Sequence, residues 1–312
     1  MYSLKKRSTI RILVLLAILW VWSSQIQARP ATENIPTKIV LLGTGTPVAD
    51  PDRSGPCVAI IVNNTSYIVD CGPGVVRRAA AAAKKGIESL KPANLKTLFI
   101  THLHSDHTLG YPDLIFSPWV LDRMEPLEVY GPEGTSHMTE HLLAAYERDI
   151  YMRLYGLEPA NPNGYKVNVH EFTSGLIYQD ANIAVEAFPV RHGSFHYAYG
   201  FKFTTPDKII VISGDTVPCD SLIEAAKGCD VLVHEVYCQA TYDKRAPEWK
   251  LYHKDFHTST VELAGIAERV RPKLLILYHQ LFWGASDQNL LDEIKQHYDG
   301  RVVSGSDLDV FE

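Results

Sequence analysis

The stretch Thr101–Gly110, THLHSDHTLG, decides how this chain is interpreted. It contains three histidines and one aspartate within six residues, directly after an apolar run. In an extended segment, side chains two residues apart point the same way, so His102 and His104 can reach one metal ion. Asp106 and His107 come past the bend and can face a second ion. Core or surface histidines usually explain an imidazole pair, but His-x-His-x-Asp-His after a strand favours a metal-binding loop that begins two sites.

Length and composition fit a globular protein. The chain has 312 residues, of which 46% are hydrophobic and 21% charged, so it can form one large domain or two smaller ones, and disorder is excluded. A basic N-terminus, the apolar run Ile12–Trp22 and a cleavage candidate at Ala28 predict a secretory signal peptide over residues 1–28. The apolar run is shorter than the about 20 residues that span a bilayer. We therefore predict a secreted or periplasmic protein, with no stable membrane insertion unless this segment stays uncleaved.

The remaining chain divides into a short polar linker, residues 29–36, and a folded domain, residues 37–312. Residues 1–28 carry four basic and no acidic residues, so their removal changes the formal charge from −6 to −10. The five cysteines are scattered and odd in number, without a C-x-x-C pair. They form no disulfide framework and receive no metal role, although a single disulfide could form in an exported chain.

The order of predicted elements indicates the architecture. Strands come first in each half of the domain, with helices between and after them, which predicts two stacked sheets with helices outside. The turn Gly43–Pro47, GTGTP, lacks the Gly-Lys-Ser/Thr ending of a phosphate loop and is interpreted as a tight turn near the site. The segment Asp149–Tyr165 mixes tyrosines with proline and glycine. It is an insertion that could be a lid or pocket wall, a subunit contact or surface packing.

Further ligand candidates lie where predicted strands end, because loops on rigid elements carry chemistry. His192 follows one strand, Asp215 lies in the sequence Ser-Gly-Asp-Thr after another, and His279 follows a third, Leu274–Tyr278. Each alone would more often be a core or capping residue, but together with the loop they complete two sites. Asp70 also ends a strand, and is either an orienter of a metal ligand or a helix N-cap.

These motifs resemble, in their order, those of the metallo-β-lactamase superfamily, over nearly all of the chain from Lys38 to Phe311. The resemblance implies an α/β fold, an αββα sandwich of two packed mixed sheets with outer helices and a dinuclear site at one edge. It also implies the ligands. One zinc ion takes His102, His104 and His192, the other takes Asp106, His107 and His279, and Asp215 bridges them.

Within the superfamily, the chain is most similar to the ribonuclease Z and arylsulfatase-like branch. The similarity rests on the Gly43–Pro47 turn, the strand end Val233-His234-Glu235 and the sequence His257-Thr-Ser-Thr. Imidazoles and carboxylates suit Zn²⁺, and Mn²⁺ or Fe²⁺ would fit the same ligands. Two such ions can share a hydroxide that attacks an ester. Asp106 would orient or deprotonate this water, His257 would donate a proton, Glu235 would orient His257, and His234 would lie in the second shell.

The predicted function is hydrolysis of small anionic esters, either aryl sulfates or phosphodiesters. The alternatives are a ribonuclease Z-like nuclease, a lactonase or β-lactamase, and a diiron redox protein on the same fold. The chain has no flavin-binding domain and no redox cysteine motif, which weakens the redox alternative.

No nucleic-acid partner is expected, for two reasons. Ribonuclease Z enzymes carry a long RNA-binding arm between the third histidine ligand and the bridging aspartate, whereas only 23 residues separate His192 from Asp215 here. An acidic mature chain would also repel a polyanion. A compact pocket walled by Trp283, Tyr155 or Trp119 would instead suit a small aryl ester. A homodimer is compatible with the sequence.

Overall fold

Two sheets of seven strands form the centre of the protein, which is a computed structural model describing residues 36–312. The predicted signal peptide, residues 1–28, and nearly all of the linker lie outside the described residues, and export stays a prediction. The first sheet has the order β14-β1-β2-β3-β4-β5-β6 and the second has the order β13-β12-β11-β10-β9-β8-β7. The strands are β1 (Lys38–Gly43), β2 (Cys57–Val62), β3 (Thr65–Val69), β4 (Thr97–Phe99), β5 (Leu127–Gly131), β6 (Val167–Glu171), β7 (Gly175–Gln179), β8 (Ala184–Pro189), β9 (Tyr199–Thr204), β10 (Ile209–Ile212), β11 (Val231–Tyr237), β12 (Leu274–Leu281), β13 (Val302–Ser304) and β14 (Val310–Phe311).

Helices cover the outer face of each sheet. Strand β1 shows why: Ile39 and Leu41 enter the core between the sheets, while Val40 and Leu42 enter the core under the helices. A strand buried on both faces is a continuous apolar run, as in KIVLL. This arrangement confirms the predicted αββα sandwich. The helices are α1 (Val75–Lys84), α2 (Ser105–Thr108), α3 (Tyr111–Val120), α4 (Thr135–Ala145), α5 (Glu147–Tyr155), α6 (Asp220–Ala226), α7 (Gln239–Tyr242), α8 (Pro247–Phe256), α9 (Thr260–Val270) and α10 (Asp287–Lys295).

A tight hairpin joins β2 to β3. Val62 pairs with Thr65, so Asn63 and Asn64 alone form the turn, with φ angles of 47° and 60°. Two-residue hairpin turns of this kind need positive φ at both positions, and asparagine tolerates that conformation better than most residues. The sequence Asn-Asn between two apolar runs therefore fixes the register of both strands.

Parallel pairing brings several strand ends to one edge of the sandwich. Strand β3 is parallel to β4 in the first sheet, and β10, β11 and β12 are parallel in the second. Strand β8 is antiparallel to β9, which is antiparallel to β10, so β8 and β10 also run the same way. The carboxyl ends of these strands meet at one edge, where ligand-binding loops of α/β sheets collect.

The predicted insertion, Asp149–Tyr165, is surface structure. Its first half belongs to α5, where Arg153 pairs with Asp149 and Glu158. Its second half packs on the core, because Trp119 donates from Nε1 to the carbonyl oxygen of Asn161 at 2.8 Å. Tyr155 is 73% exposed. The segment therefore packs on the surface of the first sheet's helical layer.

Two further observations complete the fold. All five cysteines lie in the described part of the chain and are free thiols, four of them buried. None of the helices within residues 36–312 combines the length and the hydropathy that crossing a bilayer requires.

Candidate active site

The loop after β4 is held by Asp70 from the end of β3. The backbone amide of Thr101 donates to Asp70 Oδ1 at 2.8 Å, which fixes where the loop leaves the sheet. His104 is still extended, with φ −62° and ψ 148°, and is followed by the single turn α2. This turn carries Asp106 and His107, both buried, and is the bend that the sequence predicted. Asp70 itself has a φ of 58°, a strained conformation that persists where surrounding contacts enforce it.

The first group of candidate ligands consists of His102, His104, His192 and Asp215. His104 Nδ1 lies 3.0 Å from both His102 Nε2 and His192 Nε2. Asp215 Oδ2 lies 3.9 Å from the same two Nε2 atoms. Ligand atoms around a tetrahedral zinc ion with bonds of about 2.0–2.2 Å are roughly 3.3–3.6 Å apart. The spacing of this group therefore fits one ion.

The second group consists of Asp106, His107 and His279. His279 Nε2 lies 3.1 Å from Asp106 Oδ2, and His107 Nε2 lies 3.7 Å from the same oxygen. Asp215 reaches this group with its other oxygen, because Oδ1 lies 3.3 Å from His107 Nε2. Asp215 Oδ2 also lies 3.7 Å from His279 Nε2. One carboxylate thus reaches ligands of both groups, as a bridging ligand requires.

His279 reaches the site through a β-bulge. Glu235 of β11 pairs with Tyr278 and Val236 pairs with Gln280, so His279 has no partner across the strands. Its φ is 45°, which is uncommon for a residue with a side chain. A bulge of this kind re-aims a side chain next to an active site. The predicted strand end at Tyr278 is therefore wrong by three residues, because β12 resumes after the bulge and ends at Leu281.

Hydrogen bonds outside the two groups orient the histidine rings. His192 donates from Nδ1 to the carbonyl oxygen of Phe256 at 2.8 Å, and His107 Nδ1 lies 2.8 Å from Asp70 Oδ2. Each bond leaves the Nε2 lone pair facing the ligand group, as metal-binding histidines require. Helix α1 begins at Val75 with Gly74 as its N-cap. Asp70 therefore does not cap this helix, and its carboxylate serves the loop and His107.

The electrostatics of the site also fit divalent cations. Burial lowers the pKa of His192 to about 4 and lowers that of His102 well below its usual value, so both rings are neutral and can act as ligands. Burial would lower the pKa of His107 and His279, but the neighbouring carboxylates raise both, and these cations outweigh the burial of Asp106 and lower its pKa to about 2. Metal ions bound to the two rings would replace their protons. Among the described residues, His107 Nε2 and Asp215 Oδ1 are buried without a hydrogen-bond partner. Such orphaned atoms are costly unless an ion or water satisfies them.

His257 and Glu235 lie beside the two groups. His257 Nδ1 is 3.5 Å from Glu235 Oε2 and 3.9 Å from Asp215 Oδ2. The other oxygen of Glu235 accepts from the backbone amide of Thr258 at 2.8 Å. Burial lowers the pKa of His257 to about 4, whereas burial and the charge of Asp215 raise the pKa of Glu235 well above its usual value. His234 lies apart: its Nδ1 donates to the Glu235 carbonyl oxygen, and it bonds to no candidate ligand among the described residues.

A cavity of about 690 Å³ opens over the two groups. Of the three aromatic residues predicted as its walls, only Trp283 lines it, since Trp119 is buried in the core and Tyr155 lies elsewhere on the surface. The wall formed by α8 and the segment before it was not predicted from the sequence. The spacing of Trp249, Tyr252, His253 and Phe256, with Pro247 at the helix start, is the signal of an amphipathic helix that could have shown it. The cavity is lined by Thr46, Pro47, Val48, His104, Asp106, Asp215, Arg245, Trp249, Tyr252, His253, His257, His279, Leu281 and Trp283.

Comparison with known proteins gives the family. The β-lactamase superfamily domain matches residues 65–280. The chain belongs to the metallo-β-lactamase superfamily. Its members include a ribonuclease Z of Mycobacterium bovis, 32% identical over 277 residues that cover 87% of this chain and 96% of that one, and a ribonuclease Z of Mycobacterium marinum, 33% identical over the same shares.

Solved structures of the superfamily share the fold. A metallo-β-lactamase fold protein of Bacillus subtilis superposes with a TM-score of 0.68 at 18% identity, covering 89% of this chain and all of that one. The short form of human tRNase Z superposes with a TM-score of 0.65 at 23% identity, covering 88% of this chain and 98% of that one. Together, fold, family and candidate ligand groups identify a metal-dependent hydrolase of the metallo-β-lactamase superfamily.

The ribonuclease Z relatives overturn two expectations from the sequence. A small-molecule aryl ester as the substrate and the exclusion of nucleic acid were both wrong. The 277 aligned positions cover 96% of the Mycobacterium bovis protein, so that relative has no room for a long arm either. The missing arm between His192 and Asp215 is therefore no argument against a nucleic-acid partner. Net charge also failed as an argument, because it averages the whole surface and does not describe one cavity.

Proposed function

We propose that this protein is a ribonuclease Z-like phosphodiesterase that cleaves RNA at a dinuclear zinc centre. The proposal rests above all on the position of Asp215, whose two carboxylate oxygens face two ligand groups at the floor of the cavity. That geometry is suited to in-line displacement at a phosphate. The names of the relatives that align over almost their whole length support RNA as the substrate.

The proposed ligands divide as the two groups do, with His102, His104 and His192 for one ion and Asp106, His107 and His279 for the other. When bound, two divalent ions supply an activated water and neutralise charge on the phosphate. The low pKa of Asp106 makes it a poor base near neutral pH. We therefore assign Asp106 the task of orienting the attacking water through a hydrogen bond.

His257 and Glu235 supply the proton for the leaving oxygen. Burial and the charge of Asp215 raise the pKa of Glu235 and so favour its protonated form, which can donate to His257 Nδ1. The neutral ring then carries its own proton on Nε2 and can pass it to the leaving oxygen as the phosphorus–oxygen bond breaks. The Glu235 proton moves to Nδ1 in the same step, which restores a neutral imidazole.

The test is cleavage of RNA by the purified protein. A precursor transfer RNA and an unstructured RNA of equal length are incubated with zinc-loaded protein, with the Asp215→Ala variant and with chelator-treated protein. We expect cleavage of RNA by the loaded protein alone, and cleavage at one position would favour the precursor as its substrate. Hydrolysis of a chromogenic phosphodiester without cleavage of either RNA would overturn the proposal.

A further inference from the structure

One wall of the cavity combines a cation with two indole rings. The guanidinium carbon of Arg245 lies 4.9 Å from the ring centroid of Trp283 and 5.4 Å from that of Trp249. Arginine stacks in this way when its charge is kept available for an anion, because its planar fork donates in the ring plane. All three residues line the cavity that opens over the candidate metal ligands.

Arg245 differs from arginines of this chain whose guanidinium is already engaged. Arg53 pairs with Asp287, and Arg123 donates to four backbone carbonyls. Within residues 36–312, the guanidinium of Arg245 has neither a carboxylate within ion-pair distance nor a hydrogen-bond acceptor, and its Nε is buried without a partner. A cation that lines a cavity with unused donors is arranged for an anionic ligand.

His253 gives a second, independent observation. Its side chain is only 5% exposed, and neither ring nitrogen has a hydrogen-bond partner among the described residues. The ring lies 5.7 Å from Trp249 in a stacked arrangement and 4.3 Å from Trp283. Buried polar atoms are rarely left unsatisfied in native proteins, so two such atoms on a residue that lines the cavity point to a ligand that meets them.

We propose that Arg245, Trp249, His253 and Trp283 form a binding site for the nucleotide next to the scissile bond, which we call the nucleotide cage. This inference rests on the proposed function and deepens it. Arg245 contacts the 5′ phosphate of that nucleotide, which is not the scissile one, its base stacks on Trp249, and His253 hydrogen-bonds to the base edge. Trp249 is 48% exposed, so part of its ring is accessible from the cavity.

The cage selects single-stranded RNA at this position. A base must leave its duplex neighbours before it can stack on an aromatic side chain, so sites of this type recognise unpaired nucleotides. Stacking tolerates any base, because every base has a π face. The phosphate contact supplies charge complementarity that a neutral aryl group would lack.

The test measures binding apart from catalysis. A 5′-phosphorylated dinucleotide with a hydrolysis-resistant phosphorothioate linkage is titrated into the metal-free full-length protein while tryptophan fluorescence is recorded. We expect Arg245→Ala and Trp249→Ala to weaken binding by about tenfold or more, as loss of one stacked base or phosphate contact does. Trp249→Phe should restore most of the affinity. Arg271→Ala is the matched control, since Arg271 also lies over a ring, that of Tyr298, but is ion-paired with Asp299.

Kinetics with zinc-loaded protein give the second readout. The cage variants should raise KM for the 5′-phosphorylated dinucleotide by a larger factor than KM for methyl p-nitrophenyl phosphate, which has neither a base nor a second phosphate. Unaltered dinucleotide binding in Arg245→Ala, or equal losses on both substrates, would overturn the cage. If Arg245→Ala does not fold, Arg245→Lys takes its place, because lysine keeps the charge and loses the planar stack.

The outcomes also separate the cage from the proposed function. Dinucleotide binding that depends on Arg245, in a protein that cleaves no RNA, would retain the cage and reject the function. RNA cleavage that is insensitive to every cage substitution would retain the proposed function and reject the cage.

Discussion

Nδ1 of His107 lies 2.8 Å from Oδ2 of Asp70, a residue 37 positions earlier in the chain. The same carboxylate accepts hydrogen bonds from the backbone amide and the hydroxyl of Thr101. One buried aspartate thus fixes both the entry of the metal-binding loop and the ring of one candidate ligand. Orienting contacts of this kind raise the basicity of the ligand as well as its geometric order.

Asp70→Asn should weaken zinc binding by about 10- to 100-fold at the site that contains His107, because the ring loses its carboxylate acceptor. Competition with a chromophoric chelator measures the affinity of each ion. Asp180→Asn is the control, since Asp180 accepts from Tyr67 far from the ligand groups. Equal zinc affinities in the Asp70→Asn variant and the unmodified protein would contradict the role of Asp70.

Asp215→Ala should reduce both ion affinities, because Asp215 is the residue that faces both ligand groups. The unmodified protein is expected to retain two transition-metal ions per chain after zinc supplementation and dialysis, and the variant fewer. Elemental analysis together with protein quantification measures the ratio. Two tightly held ions in the variant would show that the bridge is assigned to the wrong residue.

His257→Ala should leave the metal content near normal and lower turnover by about 10²- to 10⁴-fold, the usual contribution of a positioned acid. The loss should shrink for aryl phosphodiesters with better leaving groups, since these need less protonation. Steady-state rates across a series of such leaving groups provide the measurement. A loss of the same size on good and poor leaving groups would mean that His257 positions the substrate instead.

His234 should make the metal-free protein less stable as the pH falls. Burial lowers its folded pKa to about 4, below the usual value of about 6.5, so the unfolded chain binds the proton first. The contribution of neutral His234 to the free energy of unfolding is present above pH 6.5 and is lost as the pH falls toward 4. The loss is on the order of 2 kcal/mol between pH 7 and pH 5. Denaturant unfolding of the unmodified protein and His234→Gln at several pH values tests this. Parallel pH profiles for the two proteins would reject it.

Much of the architecture was predictable because its signals are local. The apolar run before Thr101, the Asn63-Asn64 turn and the polar residues after strands each report on a few neighbouring positions. Parallel strands then bring their ends to one edge, so His192 and Asp215 could be placed near the loop without knowledge of the contacts. Stacked sheets with outer helices follow from these signals, whereas the superfamily and its αββα sandwich were inferred from the resemblance of the motifs, and both predictions are confirmed.

What the sequence did not predict depends on contacts between distant segments. The bulge that turns His279 into the site arises from pairing with β11, and the run of apolar residues around it does not reveal it. The predicted substrate class was also wrong, because it rested on net charge and on the length of the interval from His192 to Asp215, and not on the residues that line the cavity. The spacing of aromatic residues in α8 could have predicted an amphipathic helix. Its position over the metal ligands could be known only from the fold.

Helix α8 ends at Phe256, whose carbonyl accepts the hydrogen bond from His192, and the next residue is His257. The helix that forms the cavity wall is therefore hydrogen-bonded directly to the ring of a candidate ligand. Binding free energies that are coupled in this way act in both directions. By linkage, whatever factor a bound ion adds to the affinity of the α8 wall for substrate, bound substrate adds to the affinity of the His192 group for its ion.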